Sequence, residues 1–181
     1  GASIDIGGDL DVIGWNQDGT GAVAYASFGG ASINVDGNTD VYGYQYAYGL
    51  TAIGYFGATV TTGGDVTVEA YNQDAQGAFA YGLFGDASVD VGGNLDVDGA
   101  EYAVGAAAVA VVGDASVNVD GYTTVIAGDE DAIGLYAVSV FYNATVTAGN
   151  DVYVYGNEYA TGVVAAAYYD ATVDLAGDLD V

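Results

Sequence analysis

Apolar and polar residues alternate along short segments of this chain, in a pattern that returns every 27 to 29 residues. Residues 87–91 read Ala-Ser-Val-Asp-Val, which places Ala and both Val on one face of a strand and Ser and Asp on the other. A Gly-Gly corner follows at 92–93, and a second alternating segment covers 94–97. A polar corner such as 72–75 leads to a third segment, exemplified by 77–84, which is apolar on both faces. Each repeat therefore predicts three short β-strands.

The most regular part of the repeat is Ala, then Ser or Thr, then Ile or Val. Seven such triplets occur in the 181 residues, and they begin at Ala2, Ala31, Ala58, Ala87, Ala115, Ala144 and Ala171. The third position of the triplet is always aliphatic, as a stacked column requires: Ile4, Ile33, Val60, Val89, Val117, Val146 and Val173. Near-constant spacing over the whole chain indicates a repeat protein. We therefore treat residues 1–181 as one solenoid segment of six full rungs and one partial rung.

The predicted fold is all-β, a right-handed parallel β-solenoid with three sides, also called a three-sided β-helix. Rungs stacked in parallel rise about 4.8 Å each, and parallel crossover connections are nearly always right-handed. Separate antiparallel sandwiches fit less well, because hairpins do not require the same residue type at the same phase of every turn. Because one rung cannot bury its own apolar edge, the stability of such a fold comes from contacts between neighbouring rungs.

A polar column next to the aliphatic one repeats every third rung. It consists of Asp5, Asn34, Thr61, Asp90, Asn118, Thr147 and Asp174. Two carboxylates stacked about 4.8 Å apart repel each other by about 1 kcal/mol in water. Asn and Thr between the Asp residues relieve that repulsion, and the period indicates that a three-rung unit was duplicated.

The composition excludes several classes of function. The chain has 25 Asp and Glu and no Lys, Arg or His, which gives a formal charge of −25. Without cationic side chains, nucleic-acid binding and attraction to an anionic membrane surface are not expected, and no apolar run reaches the length of about 18 residues that membrane insertion requires. The 52% of hydrophobic residues argue against a disordered acidic tail.

Enzymatic activity is not expected either. No Cys or His is present, so the thiolate nucleophile and the commonest general base are missing. Pairs of carboxylates are numerous, but in a repeat they are first of all stacked, solvated turn residues. A glycosidase with paired carboxylates is therefore a weak alternative, and we predict no catalytic residues and no certain cofactor.

The third segment of the repeat is the strongest candidate for an interaction face. One of its faces carries a column of Ala, and the other carries large apolar side chains; the sequence leaves open which face points inward. The residues proposed for the interaction face are Tyr25, Tyr55, Phe79, Tyr81, Leu83, Tyr136 and Tyr168. The conservative interpretation is a thick wall whose Tyr hydroxyls reach water. The alternative, which we favour, is an apolar wall covered by a partner, and the simplest partner is a second copy of the chain.

Calcium is a candidate ligand of the acidic corners. The segment Gly-Gly-Asp-Leu-Asp at 7–11 is similar to part of the Gly- and Asp-containing nonapeptide of calcium-binding β-rolls. The match is partial, because the segment occurs once per rung. The candidate ligands are Asp9, Asp11, Asp36 and Asp40.

No helix, polar rung or charged plug caps either end of the repeat array, so we expect either continuation in a longer array or end-to-end stacking into a fibre. The phrase Ala-Ser-Val-Asp-Val-Gly-Gly-Asn-Leu-Asp-Val at 87–97, repeated at rung length, resembles the β-helical repeats of bacterial surface adhesins and autotransporter passengers of the filamentous-haemagglutinin type. The resemblance implies an extracellular or cell-surface fibre with structural or adhesive roles. The leading hypothesis is a self-associating structural segment, and the alternative is a glycan- or surface-binding module that uses the Tyr-rich face.

Overall fold

The structure is a computed structural model that describes residues 1–181. Every regular element is a β-strand, and no helix is present that is long and apolar enough to cross a membrane. The strands are, in chain order, β1 (Ala2–Ile6), β2 (Leu10–Gly14), β3 (Gly19–Ala26), β4 (Ala31–Val35), β5 (Thr39–Gly43), β6 (Ala47–Gly54), β7 (Ala58–Thr62), β8 (Val66–Ala70), β9 (Ala75–Gly82), β10 (Ala87–Val91), β11 (Leu95–Gly99), β12 (Ala103–Ala110), β13 (Ala115–Val119), β14 (Thr123–Ala127), β15 (Ala132–Ser139), β16 (Ala144–Ala148), β17 (Val152–Gly156), β18 (Ala160–Ala167), β19 (Ala171–Leu175) and β20 (Leu179–Asp180).

Each strand pairs in parallel with the equivalent strand of the next rung, and three sheets result. The first sheet is β1-β4-β7-β10-β13-β16-β19, the second is β2-β5-β8-β11-β14-β17-β20, and the third is β3-β6-β9-β12-β15-β18. The register follows the repeat residue by residue: Ala87 pairs with Ala115, and Val89 pairs with Val117. The prediction of a three-sided parallel β-solenoid is confirmed.

The core is a narrow interior filled by aliphatic side chains from all three sheets. In strands of the first and second sheets the burial alternates strictly, so that in β10 Ala87, Val89 and Val91 are buried. The third sheet turns its small face inward, with Ala80 and Ala108 fully buried. This settles the orientation that the sequence left open, because a narrow interior has room for Ala at this position, whereas Tyr must point outward.

Strands of the third sheet bend at a column of glycines, which consists of Gly21, Gly49, Gly77, Gly105, Gly134 and Gly162. In β9 both Gly77 and the following Ala78 are buried, so the inward phase shifts by one residue at this point. A Cβ on Gly105 would lie only 2.5 Å from the carbonyl oxygen of Gly134 and 2.7 Å from Val125 Cγ2. The column therefore admits only glycine, and the bend lets an eight-residue strand enclose the core.

Two details differ from the sequence-based expectation. The third strand of the repeat is Ala75–Gly82 rather than 77–84, so Leu83 and Phe84 lie in the following corner. The only glycines with positive φ are Gly57 and Gly113, both in the third corner. Gly93 in the first corner instead lies close to the preceding rung, since a Cβ on it would lie 2.6 Å from the carbonyl carbon of Gly64.

Candidate interaction faces

The three outer faces of the solenoid have different chemistry. The outward residues of the first sheet are all Ser, Thr, Asn or Asp. Within this face the side-chain amide of Asn118 donates to Asp90 at 2.9 Å, and also to Asp120 at 2.9 Å. Asn in the polar column thus holds neighbouring carboxylates by hydrogen bonds, in addition to diluting their charge. This face is hydrophilic throughout.

The outer face of the third sheet carries no charged residue, although the chain has 25 carboxylates. Its outward strand positions form three columns of residues, namely Thr20, Tyr48, Gln76, Val104, Ile133 and Thr161; Val23, Thr51, Phe79, Ala107, Tyr136 and Val164; and Tyr25, Ile53, Tyr81, Val109, Val138 and Ala166. We call this surface the apolar wall. In a chain with this composition, a whole sheet face without a carboxylate distinguishes the apolar wall from the other two faces.

The sequence-predicted interaction residues lie on or beside the apolar wall. Phe79, Tyr81 and Tyr136 are half-buried outward residues of its strands, and Tyr25 is 65% exposed. Tyr55, Leu83 and Tyr168 each come directly after a strand of the third sheet and therefore belong to the third corner. The predicted face is thus a strand surface extended by a corner column.

Two grooves group most of these residues. One of about 130 Å³ brings together Tyr25, Ile53, Tyr55, Tyr81 and Leu83. The other, of about 310 Å³, lies over Ala107, because the small side chain of this residue stands between Phe79 and Tyr136 in one column. Gln76, Val104, Val109 and Ile133 complete its lining. Tyr168 lines neither of these grooves.

The third corner also contains aromatic residues that the sequence reasoning missed. The ring centroid of Tyr55 lies 6.0 Å from that of Phe28, 4.9 Å from that of Phe56 and 5.0 Å from that of Phe84. Phe28 is 86% exposed and Phe56 is 61% exposed. Phe at the same phase of three successive rungs is a visible sequence signal, and it extends the apolar wall around its edge.

The four calcium candidates do not share one site in the structure. Asp9 accepts a hydrogen bond from the backbone N–H of Asn38 at 2.8 Å, and Asp36 accepts one from the side-chain amide of Asn34 at 3.1 Å. Asp11 and Asp40 are register partners on β2 and β5. No group of three or more acidic side chains is arranged to hold a metal ion. The structure gives Asp9 and Asp36 roles as hydrogen-bond acceptors, and calcium binding stays a prediction.

The bond of Asp9 belongs to a ladder that runs along the first corner. Asn38 accepts from the N–H of Asp65 at 3.0 Å, Asp65 from Asn94 at 2.7 Å, and Asn94 from Tyr122 at 2.9 Å. A second ladder in the third corner links Asp86, Asp114, Asn143 and Asp170 in the same way. In both ladders the side-chain oxygen of one rung accepts the backbone N–H of the following rung. Asp and Asn at these corners therefore bond successive rungs, a role that sequence reasoning did not assign.

The second sheet has a mixed outer face in which acidic and aromatic side chains adjoin. Partial burial raises the pKa of Asp96, and burial together with the nearby charge of Asp96 raises the pKa of Asp98. Burial, followed by the charges of Asp40 and Glu69, raises the pKa of Tyr42. Burial is the main cause of all three shifts, and neighbouring carboxylates add to those of Asp98 and Tyr42.

Comparison with protein-family models, with curated proteins and with solved structures finds no match to this chain. What is shown is therefore the architecture: the chain is a parallel β-solenoid repeat protein.

Proposed function

We propose that this chain is a structural, self-associating segment of an extracellular filament or of a giant cell-surface fibre. In this proposal the apolar walls of two copies pack together laterally, and rungs continue along the axis by the hydrogen bonding that joins them within the chain. The observation that carries the proposal is the absence of charge from the whole outer face of the third sheet in a chain of net charge −25. Contiguous exposed apolar surface of this kind usually marks an interaction site.

The size of the apolar wall fits a specific interface. Six strands at a spacing of about 4.8 Å span about 29 Å, and eight residues at about 3.3 Å span about 26 Å, so the wall measures roughly 750 Å². A standard protein interface buries about 800 Å² per partner. The grooves over Ala107 and beside Tyr81 offer the uneven surface that lets side chains of two walls interdigitate.

A second copy is also the partner that the charge distribution favours. Two bodies of charge −25 repel each other, and the repulsion is smallest where both present a face free of carboxylates. The corner ladders support axial continuation, because each rung presents acceptors for the N–H groups of the next rung. The lack of Lys and Arg leaves no site for trypsin-like proteases, which agrees with an extracellular location.

Sedimentation velocity over a range of protein concentrations tests the lateral contact. We expect the wild-type chain to associate, and added NaCl to strengthen the association because it screens the repulsion between copies. The double variant Tyr81→Glu/Tyr136→Glu should associate much more weakly than the wild type, because it places charge in the lateral interface and leaves only the axial contact. The matched control Thr59→Glu/Thr145→Glu adds the same charge to the hydrophilic first sheet and should associate like the wild type.

Either of two outcomes would overturn the proposal: a wild-type chain that stays monomeric at every concentration and salt level, or a wall variant that associates as strongly as the control. A monomeric wild type whose apolar wall binds to a glycan array, with binding lost in the wall variant, would favour the adhesin-like alternative.

A further inference from the structure

A second surface, separate from the apolar wall, has the features of a binding site. A groove of about 440 Å³ lies at the edge of the second sheet, and the residues that argue for its role are Ile13, Trp15, Tyr42, Tyr44, Glu69 and Tyr71. Trp15, Tyr44 and Tyr71 directly follow β2, β5 and β8, so three successive rungs contribute one aromatic residue each. The backbone N–H of Tyr71 donates to the carbonyl of Gly43 at 3.1 Å, which continues the rung-to-rung register into the corner.

The aromatic side chains of the groove form a platform that faces solvent. The rings of Tyr44 and Tyr71 are 5.7 Å apart between centroids and nearly parallel, at 17°. Trp15 is 81% exposed and Tyr71 is 70% exposed. None of the three contributes to the buried core. Tyr44 and Tyr71 stack on each other, and the largely exposed rings of Trp15 and Tyr71 keep surface that is free to stack on a ligand.

The electrostatics of the groove select a cation. Glu69 is the only charged residue in its lining, and the chain contains no cationic side chain. Burial raises the pKa of Tyr42, and the charges of Asp40, Glu69 and Asp11 raise it further. A planar guanidinium stacks on Trp and Tyr faces and pairs with a carboxylate through two hydrogen bonds, which a compact ammonium group does not do.

We propose that this groove binds Arg side chains of a basic polypeptide. An extended peptide places alternate side chains about 7 Å apart, and the three rungs that contribute Trp15, Tyr44 and Tyr71 span about 10 Å, so two Arg side chains fit the platform. A polypeptide also gains from the charge of −25 around the groove, which attracts every further basic residue. The site lies on a different sheet from the apolar wall, and it does not depend on self-association.

Trp15 is the only Trp of the chain and provides the readout. Hexa-arginine should change the Trp15 emission in a fluorescence titration. The titration is done at about 0.15 M NaCl, where surface charges more than about 8 Å apart are largely screened. Hexa-arginine should bind at least about threefold more tightly than hexa-lysine, because stacking favours guanidinium. Glu69→Gln and Tyr71→Ala should each weaken hexa-arginine binding and reduce the preference for hexa-arginine.

The matched controls are Glu158→Gln and Tyr159→Ala, which make the same chemical changes at exposed residues of the second corner, three rungs away from Glu69 and Tyr71. They should leave the Arg preference unchanged. Equal affinity for the two peptides, or equal effects of the Glu69→Gln and Glu158→Gln variants, would mean that only diffuse counter-ion attraction operates, and the proposal would be wrong. Absence of any emission change with saturating hexa-arginine would also overturn it.

Discussion

Two columns of the core combine large and small residues so that their volumes complement each other. The first inward position of the second-sheet strands holds, in successive rungs, Leu10, Thr39, Val66, Leu95, Thr123, Val152 and Leu179. The residue after the glycine in the third-sheet strands is Ala22, Leu50, Ala78, Ala106, Leu135 and Val163. Leu in the first column shares its rung with Ala in the second, and Thr in the first column shares its rung with Leu. The two columns adjoin, since second-sheet strands contact the third-sheet strand of their own rung and that of the preceding rung, as β11 contacts β12 and β9. Leu95 Cδ1 lies 3.1 Å from the position of a Cβ on Gly77, which belongs to the preceding rung.

This arrangement predicts that two destabilising substitutions in the fifth rung compensate each other. Leu135 is fully buried, so Leu135→Ala should lower the free energy of unfolding by about 2–5 kcal/mol. Thr123→Leu adds volume in β14, the second-sheet strand that contacts the strand of Leu135, at an expected cost of about 1–3 kcal/mol. Part of that cost is offset, because the Thr123 hydroxyl is buried without a hydrogen-bond partner and its removal relieves a desolvation penalty of about 1–3 kcal/mol.

The double variant Thr123→Leu/Leu135→Ala rebuilds in the fifth rung the Leu and Ala pair that the fourth rung already has as Leu95 and Ala106. We expect its free energy of unfolding to lie within about 1 kcal/mol of the wild-type value, which corresponds to a favourable coupling of roughly 2–4 kcal/mol. Thr123→Val is the control for the hydroxyl alone, and it should stabilise the protein by about 1 kcal/mol, since it keeps the shape and removes the unpaired group.

Urea denaturation followed by circular dichroism measures all four variants against the wild type. A coupling below about 0.5 kcal/mol is what independent sites show. If the losses in free energy of unfolding of the two single variants were additive in the double variant, the two columns would not share volume. The alternation of large and small residues would then have no role in packing.

Three further predictions concern the backbone, the ladders and the acidic face. Gly105→Ala should lower the free energy of unfolding by about 1–3 kcal/mol, because its Cβ would lie 2.5 Å from a carbonyl oxygen, whereas Gly8→Ala, which meets nothing within 4 Å, should be neutral in the same urea titration. Tyr122 interrupts the first-corner ladder, so Tyr122→Asn should restore an acceptor for the next rung. It should raise the free energy of unfolding by about 0.5–1.5 kcal/mol, seen as a higher urea midpoint. An unchanged midpoint would argue against a stabilising role of the ladder. The raised pKa values of Asp96 and Asp98 mean that these groups bind protons more tightly in the folded state than in the unfolded state. Their contribution to the free energy of unfolding should therefore increase as the pH falls from neutral through these pKa values. Asp96→Asn should reduce that pH dependence of the urea midpoint.

Some features of the interaction faces were readable from sequence and others were not. Period-two alternation placed Tyr25, Phe79, Tyr81 and Tyr136 on outward strand positions, whereas Tyr55, Leu83 and Tyr168 lie in the third corner. Their role in an interaction stays a prediction. The groove over Ala107 was not foreseen, since it depends on one small residue lying between Phe79 and Tyr136 in adjacent rungs. The platform of Trp15, Tyr44 and Tyr71 was missed because its members fall in corners, where period-two reasoning has no force.

The amino-acid sequence by itself determined the strand pattern, the rung length and the parallel register, because a 27–29-residue repeat with the same residue type at each phase has one way to bury all its apolar columns. Only the tertiary structure decided which face of the third strand points inward, because both faces are apolar and the choice depends on the width of the interior. It also decided that Asp9 accepts the N–H of Asn38 in the next rung, since a carboxylate in a corner has the same local sequence whether it binds a cation or the next rung. The preference of a segment for strand or turn depends on neighbouring residues in the sequence. These contacts, in contrast, form between residues about 28 positions apart, which only the stacking of rungs brings together.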